Sequence, residues 1–263
     1  MKEPLLLVHG FTDTARTWTN LIPLLEPTHE VLAPTLSGHC GGPEIPAGAS
    51  DPLCAMADEL ERLLDEHGHE KAHLVGNSLG GWLAFELASR GRALSVVALS
   101  PALGWDGEEP PRRTRFIFEN AHRMGPWASK NAEFLVRRPG LRKIVFRDLV
   151  SHPERMKPEI AYDLIVGSAG CTVYDAFLEH IEARNYRAPW QADFGVPVRI
   201  AWGEKDRTLP FKSCTGWHRR TLPDAEWVDL PDCGHLPHHD DPELVARTIL
   251  EVTTARAPQE VPA

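Results

Sequence analysis

One short stretch, Gly76-Asn77-Ser78-Leu79-Gly80 followed by Gly81, restricts the fold more than any other part of this sequence. The apolar run at residues 72–76 reads as a strand, and residues 79–89 keep helical spacing. Ser78 then stands at a sharp strand-to-helix turn, with its oxygen projected above a sheet. Such a turn is crowded, so glycine is required two residues to either side. The helix that starts at Leu79 also directs free N–H groups and a positive dipole end at any negative charge formed beside the serine.

The rest of the chain repeats that alternation. Further strands are expected at residues 5–8, 30–36, 94–99, 196–202 and 226–230. Asp51 and Pro52 open a helix whose apolar spacing runs to His67-Gly68. Helices are also expected at residues 211–220 and 242–252. This rhythm predicts an α/β fold: a mostly parallel sheet of about six strands with helices on both faces. Residues 103–190 break it with helical patterns at 115–124, 160–166 and 173–183 and no clear buried strand. The expected organisation is therefore a core of residues 1–102 and 191–263, with residues 103–190 inserted as a helical cap between Pro101 and Pro189. Tyr174, Phe177, Leu178 and Ile181 share one helical face in it. The Pro-containing end at residues 256–263 reads as a loose tail.

A serine hydroxyl is a weak nucleophile at neutral pH and needs a base, which in turn needs an orienting acceptor. His235, in the loop after the last strand, is the expected base. Asp206, after the preceding strand, is the expected acid. Both follow the same ends of parallel strands as Ser78, where such sheets bind ligands. Asp106 is the rival acid, and the short loop after residue 202 favours Asp206. His238, His239, Asp240 and Asp241 invite a metal reading, but their spacing fits no zinc pattern, and Asp240 reads as the cap of the final helix. His9-Gly10-Phe11 closes the first strand, and the backbone N–H groups of Phe11 and Leu79 are the expected oxyanion hole.

Net charge narrows the partners. The formal total is −9, a poor match for nucleic acid or anionic membrane surfaces. The cysteines Cys40, Cys54, Cys171, Cys214 and Cys233 are scattered, with no Cys-x-x-Cys pair, which predicts reduced thiols and a cytoplasmic location. The apolar run near the start is too short for a signal peptide or a membrane span. A small-molecule substrate is expected, without metal or organic cofactor.

Together, His9-Gly10-Phe11, Ser37-Gly38-His39, Gly76-Asn77-Ser78-Leu79-Gly80-Gly81, Trp202-Gly203-Glu204-Lys205-Asp206 and Gly234-His235-Leu236-Pro237 resemble the α/β-hydrolase superfamily. The resemblance implies nucleophile Ser78, acid Asp206, base His235, an oxyanion hole at Phe11 and Leu79, and a cap over the pocket. The family's usual opening antiparallel hairpin is missing from the pattern. Leu236 stands where carbon–carbon bond hydrolases of ring-fission products often carry tryptophan, which tilts the reading toward an esterase or lipase-like enzyme acting on a modest apolar ester or lactone. Serine rather than aspartate at the nucleophile argues against dehalogenases and epoxide hydrolases. Carbon–carbon bond hydrolysis, acyl transfer to another acceptor and non-catalytic small-molecule binding on the same fold remain alternatives.

Trp105, Trp127 and Phe177 are the substrate-lining candidates, beside Phe116, Phe118, Phe134 and Tyr162. Simple packing against the core accounts for most such aromatics. Arg112, Arg113 and Arg115 read as a solvated helix face.

Overall fold

In the central strands, successive side chains enter two different cores. Leu6 and Val8 face one cluster while Leu5 and Leu7 face the other, and Leu74 against Val75 and Val96 against Val97 repeat the split. All four residues 5–8 are fully buried, each contributing about 1.5–3 kcal/mol of transfer free energy. A strand apolar on both sides needs helices on both faces, and the computed structural model, which describes residues 2–105, 110–184 and 193–255, has that arrangement.

The sheet has six strands: β1 (Glu3–Val8), β2 (His29–Leu32), β3 (Ala72–Asn77), β4 (Ala93–Leu99), β5 (Val198–Gly203) and β6 (Glu226–Leu230). Their order is β2-β1-β3-β4-β5-β6, and every pairing is parallel. The opening hairpin is absent among the described residues. Helices α1 (Ile22–Leu25), α2 (Pro52–Glu66) and α3 (Leu79–Ser89) belong to the first half of the core. The Asp51 side chain accepts from the Leu53 and Cys54 N–H groups and starts α2, as its sequence predicts.

Between β4 and β5 the described residues form no strand. They hold α4 (Arg112–Lys130), α5 (Ala132–Arg137), α6 (Pro139–Val145), α7 (Pro158–Ala169) and α8 (Tyr174–Arg184). These helices are the inserted cap. Leu135, Val136, Phe146, Leu164 and Ile165 give it its own core. Tyr174, Phe177 and Ile181 of α8 are buried in the main core instead, on the face their spacing predicts. The junction at Pro189, and Asp106, lie outside the described residues.

Helices α9 (Phe211–Cys214), α10 (Gly216–Thr221), α11 (Pro237–Asp240) and α12 (Pro242–Thr253) complete the fold. The single helix expected at residues 211–220 is two short ones, broken at Thr215, whose hydroxyl bonds back to the Phe211 carbonyl. A second correction concerns the start of α12. Asp241 caps it by accepting the Leu244 N–H, whereas Asp240 accepts from the N–H groups of Ser151, His152 and Gly234. No helix among the described residues is long and apolar enough to cross a membrane.

Candidate active site

Ser78 has φ 54° and ψ −115°, a left-handed conformation that costs a non-glycine residue energy and marks functional turns. Its neighbours make the turn sterically possible. A Cβ on Gly76 would lie 2.0 Å from the Gly80 carbonyl oxygen, and one on Gly80 would lie 2.0 Å from that of Val8. Both glycines are therefore needed for close backbone approach. The turn is held by the Ser78 N–H donating to the Leu99 carbonyl and by the Ala102 N–H donating to the Ser78 carbonyl.

Asp206 follows β5 and His235 follows β6, and adjacent strand ends bring them together. The His235 Nδ1 donates to Asp206 Oδ2 at 2.8 Å. The other carboxylate oxygen accepts the Thr208 and Leu209 N–H groups at 2.9 and 2.7 Å. With both oxygens engaged, Asp206 fixes the orientation of the ring and leaves its Nε2 free of the carboxylate. Ser78 and His235 are 4% and 3% exposed and border the same cavity. No hydrogen bond joins them in this structure. Bonds of this kind commonly tighten only once substrate is present.

Asn77 is a member of the site that the sequence reading missed. Fully buried, it donates from Nδ2 to the carbonyls of Leu99 and His235 at 3.0 and 2.9 Å, tying the turn at Ser78 to the loop of the histidine. Its place in the middle of the glycine motif was the available signal.

Gly10 packs directly on Ser78, with its would-be Cβ 3.4 Å from the serine Cβ, and this brings the Phe11 backbone beside that serine. Leu79 is the first residue of α3. Neither the Phe11 nor the Leu79 N–H is taken by a backbone carbonyl among the described residues. His9 accepts the Leu36 N–H at Nε2, 2.9 Å, and its Nδ1 donates to the Gly10 carbonyl, 2.8 Å. Burial, then the nearby His39, holds its pKa well below the ordinary value, so His9 is a neutral strut for this loop.

The rival histidines point elsewhere. His238 is buried and His239 half-buried, and both place Nε2 near the Thr17 hydroxyl, at 2.8 and 3.0 Å. Burial lowers both pKa values, that of His239 to about 4. No group able to hold a metal ion occurs among the described residues.

Two cavities meet at Ser78. The smaller, about 70 Å3, is lined by Phe11, Leu79, Trp105, Phe177, Ile181 and Leu209 among others. The larger, about 500 Å3, runs between the core and the cap and is bordered by Asp13, Asn77, His235, Leu236 and Trp127. Trp105 and Phe177 thus line the small chamber. Trp127 lines the large one and is 53% exposed, at its mouth. Phe118 borders both and Phe116 the large one only, while Phe134 and Tyr162 border neither.

The alpha/beta hydrolase family model matches residues 5–248. The chain is 31% identical over 204 residues to epoxide hydrolase EphH of Mycobacterium tuberculosis, covering 74% of this chain and 91% of the relative. It is 27% identical over 240 residues to Lipase 3 of Moraxella sp., covering 89% and 72%. Among solved structures, a thermophilic esterase from Thermogutta terrifontis superposes with a TM-score of 0.70 at 26% identity, covering 95% of this chain and 89% of that one.

Proposed function

The chain belongs to the alpha/beta hydrolase family, and from that premise we propose that it is a serine esterase working through Ser78, His235 and Asp206. The observation that carries the reading is the convergence at one cavity of a strained serine at a helix start and a buried histidine locked to a fully hydrogen-bonded carboxylate. In this mechanism the His235 Nε2 takes the proton from the Ser78 hydroxyl as the oxygen attacks the ester carbonyl. The oxyanion rests on the Phe11 and Leu79 N–H groups, each such donor stabilising the transition state by about 3 kcal/mol. His235 then protonates the leaving alcohol, and water repeats the sequence on the acyl-enzyme.

The two chambers support a division of the substrate into two halves. The leaving oxygen must reach His235, which borders only the large cavity, so the alcohol portion occupies that side. The acyl chain is left with the small apolar chamber. At roughly 10–15 Å3 per water-sized atom, its 70 Å3 takes an acyl chain of up to about five to seven carbons.

Epoxide opening is disfavoured although EphH and a second relative, from Corynebacterium sp., bear that name. Attack by serine on a saturated carbon leaves an ether, which has no carbonyl for water to attack. Aspartate would leave an ester, which water can cleave.

A fluorophosphonate probe tests the nucleophile, with labelling expected on the peptide holding Ser78 and lost in Ser78→Ala. Nitrophenyl esters of increasing acyl length test the chambers, with a maximum in kcat/KM at short chains. Labelling that persists in the alanine variant overturns the site, and an optimum at long acyl chains overturns the chamber assignment. Tight ligand binding with no turnover on esters or on a ring-fission dienoate would make the protein a binding module.

A further inference from the structure

The summed charge of −9 conceals a polarity in the molecule. Residues 112–145, the span of α4–α6, carry nine Lys or Arg and two acidic residues, a formal +7, which leaves −16 on the remainder. Lys130, Arg137 and Lys143 are exposed, and none of the three joins an ion pair among the described residues. Arg112, Arg113 and Arg115 are exposed, as a solvated helix face requires, and the rest of the basic set is spread along three helices.

The exposed apolar groups coincide with that charge. Among the described residues every exposed large apolar side chain belongs to the cap. Five of them, Phe116, Met124, Trp127, Ile144 and Val145, also line the 500 Å3 chamber and therefore ring its mouth. Ile144 is 68% exposed, Phe116 62% and Trp127 53%. Single exposed apolar residues are ordinary, but five grouped at one opening mark a surface that meets something apolar. Near them an open groove of about 340 Å3 is lined by Lys130, Asn131, Glu133, Arg137 and Tyr162 among others, two cations against one carboxylate, so it keeps a net positive charge toward a phosphate headgroup.

We propose that the α4–α6 face docks on an anionic phospholipid surface, with the mouth of the large chamber turned toward the bilayer. Charge decides among the occupants. A second copy in a two-fold dimer would bring this basic face, with the exposed Lys130, Arg137 and Lys143, against an identical one. An anionic surface attracts these helices and repels the −16 remainder, so it also orients the molecule. The apolar ring then enters the headgroup region, as interfacial aromatic and basic groups do. An apolar ester dissolved in the bilayer reaches Ser78 without crossing water.

Cosedimentation with vesicles tests this, comparing phosphatidylglycerol-rich with pure phosphatidylcholine vesicles in about 50 and about 500 mM salt. Binding is expected to the anionic vesicles at low salt, and to fall sharply at high salt. The triple reversal Lys130→Glu, Arg137→Glu, Lys143→Glu should lower the partition coefficient by at least about tenfold. Trp127→Ser should weaken binding without changing the dependence on lipid charge. Circular dichroism and thermal melts establish that the variants fold. Ser78→Ala should bind like the wild type, so the result stands apart from the esterase reading. Absent binding, equal binding to both lipids, undiminished binding of the triple variant, or a solution dimer abolished by Trp127→Ser would each overturn the proposal.

Discussion

Replacing Asp13 by asparagine should remove a destabilisation that grows as pH rises, the reverse of the usual carboxylate effect. Asp13 is 7% exposed on the wall of the large cavity. Its Oδ1 accepts the Thr14 N–H at 2.7 Å, and its buried Oδ2 has no partner. Burial raises its pKa to about 7, more than the hydrogen bonds from Thr14 and Thr17 lower it. In the unfolded chain the value is about 3.9, so between about pH 4 and 7 the native state holds a proton that the unfolded state has released. The native state binding more protons, stability falls with rising pH across that window and is level above it.

A displacement of about three pKa units at about 1.4 kcal/mol each sets an upper size of about 4 kcal/mol. Asparagine keeps the Oδ1 acceptor and is neutral throughout, so it suffers none of this loss. Paired urea titrations of wild type and Asp13→Asn at pH 4.5, 6 and 8 measure the difference, and all other titrating groups cancel because both proteins share them. The variant should gain on the wild type by between about 1 and 4 kcal/mol from pH 4.5 to 8. A difference flat in pH, or one moving toward the wild type as pH rises, refutes the argument that Asp13 is held protonated by burial.

Asn77→Ala strands the His235 carbonyl, while that of Leu99 keeps the Ser78 N–H, at a cost of about 1–3 kcal/mol by urea denaturation, and frees the loop of the histidine, so kcat should fall with KM little changed. Gly80→Ala sets a Cβ against the Val8 carbonyl at 2.0 Å and should unfold the protein or lower its melting temperature by many degrees, whereas Gly140→Ala, with open space around its Cβ, should stay within about 0.5 kcal/mol of wild type. Asp240→Ala removes the acceptor of three backbone N–H groups and should raise amide exchange at Ser151 and His152 before it affects the sheet.

What the sequence disclosed was what short-range physics dictates. Around Ser78 the required backbone approach is so close that only glycine fits, so three glycines announce the turn. The strands announce themselves because apolar residues fill both faces. The cap announced less. Helices α5 and α6 were not foreseen: Pro139 and Gly140 interrupt the apolar period, and the side chain of Arg142, expected in water, is buried where it donates to the Val136 and Glu154 carbonyls. The roles of Asp240 and Asp241 are indistinguishable in sequence, since both precede Pro242 and only the fold shows which one meets residues 151 and 152. The placement of His238 and His239 around Thr17 likewise depends on a contact more than 200 residues distant along the chain.

The cap is fastened to the very loops that carry Asp206 and His235, and this joins the catalytic and lipid-docking readings. Near His235, the Leu236 N–H donates to the Leu149 carbonyl at 2.9 Å, and a Cβ on Gly234 would meet that same carbonyl oxygen at 2.9 Å. Beside Asp206, Thr208 is held from two sides: its hydroxyl donates to the Asp148 carbonyl and its own carbonyl accepts from the Thr114 hydroxyl of α4, both at 2.7 Å. Residues 148 and 149 therefore bridge both loops, and α4 pulls on one of them directly. Tightly packed elements switch between discrete arrangements instead of deforming smoothly. A force applied to α4–α6 at a bilayer is thus delivered to Thr208 and Leu149, the neighbours of Asp206 and His235, before it reaches the sheet.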